Sequence, residues 1–95
     1  MFTQKEVNSI DLEYFCIIQL GGYAVTIKSK NTRHCWHIVS QSYKTHSSCQ
    51  FYHTHQENTP YHRHGNAGSL QAAIRMIQNH DEYLLHKIQN KKGRN

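Results

Sequence analysis

Little in this sequence suits a membrane, a disulfide scaffold or a familiar catalytic motif. The longest apolar run is Tyr14-Phe15-Cys16-Ile17-Ile18, far short of the roughly 20 residues a spanning helix needs. There is one proline, Pro60, and no C-x-x-C pair. The three cysteines, Cys16, Cys35 and Cys49, are odd in number and far apart, as expected of reduced thiols in a cytoplasmic protein. A Cys35–Cys49 bridge is compatible with the spacing but not demanded by it. The opening MFTQKEVNSID has no basic stretch followed by an apolar one, so it does not read as a secretory signal. G-x-S-x-G, P-loop and H-E-x-x-H strings are all missing, and the chain reads as non-enzymatic.

Acidic residues are also scarce. Six Asp and Glu face eleven Lys and Arg, giving a net charge of +5 with histidine neutral. Hydrophobic residues make up 37% of 95, enough for one small core and a single domain over 1–95. So small a core makes homodimerisation a natural expectation.

What the chain has in plenty is histidine. Nine are dispersed from His34 to His86. Histidine titrates near pH 6.5, so stability should respond to pH below neutrality, with a sign set by whether the rings are buried neutral or gain partners.

Periodicity divides the chain in two. Residues 1–11 show little pattern, apart from a short turn that Thr3 could cap, and are expected to be poorly ordered. The sheet region, residues 12–64, carries period-2 segments at 13–20, 23–29, 34–40 and 49–55, with a short fifth at 61–64. Gly21-Gly22 reads as a tight hairpin turn, and Gly65-Asn66-Ala67-Gly68 as a break in the chain. From Ser69, a candidate N-cap, the period becomes 3.6 through Leu70, Ala73, Ile74, Ile77, Asp81, Leu84, Leu85 and Ile88. A helix over 69–89 follows, with a candidate interruption at Asn79-His80-Asp81 where Asp81 could cap a second segment, and then a frayed basic tail over 90–95. The expected fold is α+β: a four- to five-stranded antiparallel meander packed on one face by a single long C-terminal helix. The opposite face is then left open for function.

Three constellations could carry chemistry. Tyr52-His53-Thr54-His55 and Tyr61-His62-Arg63-His64 repeat Y-H-x-H at a spacing of nine residues. Residues two apart on a strand share a face, so a hairpin would bring His53, His55, His62 and His64 together as ligands for zinc or another divalent metal. Glu57 and Asp81 are the candidate supporting carboxylates. Secondly, basic residues interleave with strand aromatics. Arg33, His37, Lys44, His53, His55, His62, Arg63 and His64 form a candidate contact set for nucleic acid or an acidic protein, through charge neutralisation and stacking. Thirdly, histidines beside Lys44 and Arg63 would suit a small endoribonuclease or toxin with His general acid–base chemistry, and Cys49 near a histidine would suit a thiolate nucleophile. The leading expectation is a small cytoplasmic binding module that uses the open sheet face, with no membrane contact; the metal protein and the nuclease are its alternatives.

Overall fold

Thr3 starts the first helix. Its hydroxyl accepts from the Glu6 amide at 3.1 Å, and Glu6 Oε1 accepts from the Thr3 amide at 3.0 Å, a reciprocal cap that opens α1 (Gln4–Asn8). The computed structural model describes residues 2–41, 48–56 and 59–92, with side chains as far as residue 87. Five strands follow α1: β1 (Phe15–Leu20), β2 (Ala24–Ser29), β3 (Cys35–Ser40), β4 (Cys49–Thr54) and β5 (His62–Ala67), and then α2 (Leu70–Lys92). The strands pair in chain order, each antiparallel to the next, so the sheet is a five-stranded meander.

The alternation of each strand decides what faces the helices. Ile27 pairs with Trp36 and Trp36 with His53; Val25 pairs with Ile38 and Ile38 with Phe51. All but His53 are wholly buried, and they meet Leu70, Ala73, Ile74 and Ile77 of α2 in one core. Each such aliphatic or aromatic side chain contributes about 1.5–3 kcal/mol on burial. Ser69 caps α2, its Oγ accepting from the Ala72 amide at 3.0 Å. The N-terminal segment does not trail free of this core: Phe2 and Ile10 are buried in it on either side of α1.

Two expectations about chain breaks give way. The fifth strand does not stop at His64 but continues through Gly65-Asn66 to Ala67. Gly65 faces Phe51, and a Cβ there would sit 3.3 Å from the Phe51 ring, so this glycine permits close approach and does not end the strand. Likewise α2 runs unbroken through Asn79-His80-Asp81, and residues 90–92, expected in the tail, extend it. Asp81 is no cap. It is completely buried, and three hydroxyls from the sheet side donate to its carboxylate: Ser29 at 2.6 Å, Thr32 at 3.0 Å and Tyr14 at 3.1 Å. Burial, the Asp81 charge and its hydrogen bond raise the Tyr14 phenol, and the Asn31 side chain opposes them; the net effect is a push up to about 12.

The cysteines are separate and reduced. Cys35 pairs with Thr54 and Cys49 with Ser40, at opposite ends of the β3–β4 ladder, which excludes the Cys35–Cys49 bridge. No helix among the described residues is long and apolar enough to cross a membrane.

The turn between β2 and β3 carries Arg33 at φ 67°, the one non-glycine residue in the left-handed region among those described. Replacing it with glycine should stabilise the protein by about 1 kcal/mol, read as a higher urea midpoint at unchanged m-value. Asp81→Ala should cost about 2–4 kcal/mol, because three donors lose a charged acceptor and Ser29 is left buried without one. Urea unfolding checks it, and a loss under about 0.5 kcal/mol would refute this account of the carboxylate.

Candidate metal centre

His53 occupies the fourth strand on the face that α2 covers, and it is 2% exposed. Its ring lies on Trp36 with centroids 4.2 Å apart, nearly parallel. Around it stand His34, His55, His62, His64 and His80, with ring centroids 4.8–5.5 Å from its own. Each arrives by a different structural device. His34 precedes β3 by one residue and shares the parity of Trp36. His55 follows β4 two residues beyond His53 and stacks on His34 at 4.5 Å, with 8° between the planes. His62 is the direct partner of His53 across the β4–β5 ladder. His64 sits in a bulge, since Phe51 pairs with Gly65 while the next residue, Tyr52, pairs with Arg63. Without that extra residue, strict alternation would put either Gly65 or His62 on the wrong face. His80 comes from α2, three residues past the buried Ile77, and its ring lies 4.8 Å from that of His64.

The nitrogens of these rings converge. One ligand atom from each of His34, His53 and His80 falls within a sphere where all separations are at most 4.8 Å, and the same holds for His53, His62 and His64. Around a tetrahedral zinc ion with Zn–N of about 2.0–2.1 Å, ligand nitrogens stand about 3.3 Å apart. Closing either set to that spacing takes shifts of about 1.5 Å or less between ligand nitrogens. His34 Nδ1 and His53 Nε2 are already hydrogen-bonded at 2.9 Å, one of them donating.

Electrostatics favour the neutral form of three of these rings. Burial first, and then the neighbouring imidazoles, push His53 down to about 3. His34 is lowered by burial and by His55 and His80, against a smaller opposing pull from Asp81. Burial, His80 and His62 lower His64. Rings that resist protonation near neutral pH have lone pairs to offer an ion. The Asp81 oxygens are held by Tyr14, Ser29 and Thr32, so this carboxylate supplies charge within reach of His34 while its acceptors are taken up by hydroxyls. Outside, the cluster borders a cleft of about 290 Å³ lined by Thr54, His55, Gln56, Thr59 and His62.

The expected contact residues do not form one surface. His53, His55, His62 and His64 do meet, but on the side of the sheet that α2 packs against, where His53 is buried and the other three are exposed at its edge. His37 points the other way: its Nδ1 lies 2.8 Å from Thr26 Oγ1, and its ring neighbours Tyr52 and Tyr61. Arg63 pairs with Tyr52 on that same open face and donates to Asn66 Oδ1 at 3.1 Å. Arg33 is in the β2–β3 turn, and Lys44 lies outside the described residues, as does Glu57. Of the four expected ligands, His53, His62 and His64 fall in one triad, whereas His55 braces His34 by stacking. Two members of the converging triads escaped the sequence reading, His34 and His80. Both carried a signal: His34 is two residues from Trp36, and His80 lies on the helical stripe beside Asp81. Burial, with the Glu6 charge adding, pushes the Cys49 thiol up to about 11, which disfavours the thiolate, and it donates to the Ser69 carbonyl at 3.4 Å.

Compared with protein-family models, with curated proteins and with solved structures, the chain matches none.

The direction of the pH effect now follows. A histidine whose folded pKa is depressed stabilises the fold above its unfolded value near 6.5 and loses that contribution as pH falls toward the folded value. For His53 the window runs from about 6.5 to about 3. Metal-free protein should lose about 2 kcal/mol between pH 7 and 5 from His53 alone, with His34 and His64 acting in the same direction. Thermal melts in the presence of EDTA read the change; an equal Tm at pH 7 and pH 5 would contradict a buried neutral His53.

Proposed function

We propose that this protein binds a divalent transition-metal ion through the histidines gathered around His53. The observation that carries the reading is the convergence of imidazole nitrogens from β3, β4, β5 and α2, with all separations in each triad at most 4.8 Å. Borderline ions such as Zn²⁺, Ni²⁺ and Cu²⁺ favour neutral imidazole, whereas Mg²⁺ and Ca²⁺ want oxygen. The packing supports it too. Burying the polar ring of His53 between a sheet and a helix is costly without hydrogen-bond partners, and ligation would give its lone pair a partner.

The rival readings draw less support. A nuclease needs a cation close to its imidazoles to hold phosphate, and Arg63 lies on the opposite face of the sheet. Nucleic-acid contact would fall to that open face, on His37, Tyr52, Tyr61 and Arg63, away from the histidine cluster.

Protein made without an affinity tag should bind one Ni²⁺ or Zn²⁺ with a Kd of micromolar order or below in calorimetry. At a hundredfold excess over Kd the bound ion should stabilise the fold by about 2.7 kcal/mol. His53→Gln or His80→Ala should weaken binding by about ten- to a hundredfold. His86→Ala, at an exposed position on α2 away from the cluster, should leave it unchanged. Equal binding by the His53, His80 and His86 variants would defeat the proposal.

A further inference from the structure

The two histidine triads have one member in common, and that fact bears on how an ion enters. His34–His53–His80 is the inner set: His53 is buried and its two companions are half-buried. His53–His62–His64 is the outer set, with His62 and His64 exposed and His62 lining the cleft beside the cluster. Building on the metal-binding reading, we infer that the triads are two stations for a single ion, which is captured at the outer one and passed to the inner one, with His53 as the ligand it keeps throughout.

Two features support one ion over two, and two more support its inward movement. A ring bridging two dications must give up its last N–H proton. Two dications at that spacing repel strongly, and the nearest buried carboxylate among the described residues, Asp81, is committed to three hydroxyl donors. That carboxylate also lies on the inner side, next to His80 in the chain and within electrostatic reach of His34, so its field draws a cation inward. Finally, the exchange path is short. The His64 and His80 rings are 4.8 Å apart, so an incoming ligand stands beside the outgoing one, and the ion need never drop to His53 alone. Inward transfer balances simply: one imidazole–metal bond forms for each that breaks, and the proton between His34 Nδ1 and His53 Nε2 moves to the other nitrogen of the ring that donated it, so both ligands stay neutral imidazoles. Imidazoles that exchange stepwise in this way suit a protein that accepts and hands on an ion.

Trp36 reports the process. It is the only tryptophan, and its ring centroid lies 4.2 Å from that of His53, 5.1 Å from His64 and 5.5 Å from His80. Stopped-flow mixing of the full chain with Ni²⁺, a paramagnetic quencher, should give two phases: a fast one that scales with Ni²⁺ concentration and a slower one that does not. The double variant His62→Ala/His64→Ala, altered only at exposed rings, should lose the fast phase and bind about tenfold more slowly, while its equilibrium Kd shifts by no more than about threefold. His80→Ala should keep the fast phase, lose the slow one and weaken Kd by about tenfold or more. Equilibrium dialysis should find one Ni²⁺ per chain at saturation. Two Ni²⁺ per chain, or a double variant that binds as fast as the wild type, would overturn the two-station order while leaving metal binding intact. Failure of the wild type to bind Ni²⁺ at all would instead remove the metal reading and this inference with it.

Discussion

A buried carboxylate in the middle of α2 sets where the helix lies on the sheet. Asp81 accepts from Tyr14 ahead of β1, from Ser29 at the end of β2 and from Thr32 in the β2–β3 turn, so three points of the chain converge on one side chain. Hydrophobic packing by Leu70, Ala73, Ile74 and Ile77 attracts the helix to the sheet, but apolar contact alone tolerates sliding. Hydrogen bonds to a buried charge do not, because each one lost leaves a desolvated group unpaired. Fixing Asp81 fixes its neighbour His80, and His80 is the helix's contribution to the ring cluster.

The cluster follows from that registration together with one irregularity in the sheet. The bulge at His64 lets Gly65 and Ala67 pack under α2 at one end of β5 while His62 faces the same side at the other. Trp36 then provides the floor on which His53 stacks. The result is a polar, ring-lined region at the edge of an otherwise apolar core, where burial keeps imidazoles neutral. Neutral rings with converging nitrogens are the chemical requirement for binding borderline metal ions, and here the same burial that costs stability in acid creates that requirement.

The two faces of the sheet divide the chain's unusual residues by chemistry. On the helix side lie the histidines that gather around buried His53; on the open side lie His37, Tyr52, Tyr61 and Arg63, which hydrogen-bond and pack along the surface. Arg63, which sits between His62 and His64 in the sequence, ends up separated from the gathered histidines by the thickness of a β-sheet.

The α+β class, the meander and the C-terminal helix were legible in the order of residues, since period 2 and period 3.6 are local consequences of strand and helix geometry. So was the nearness of His53, His55, His62 and His64, because two short strands joined by one loop leave few ways to pair. The sequence could not reveal which face those rings take, because a one-residue shift in pairing reverses every side chain and only Phe51 against Gly65 shows where the shift occurs. Nor could it bring His34 and His80 to His53, across 19 and 27 residues of chain, or turn Asp81 from a supposed cap into a buried anchor. Those pairings depend on how α2 crosses the sheet, and that angle comes from packing and hydrogen bonds between segments that have no local pattern in common.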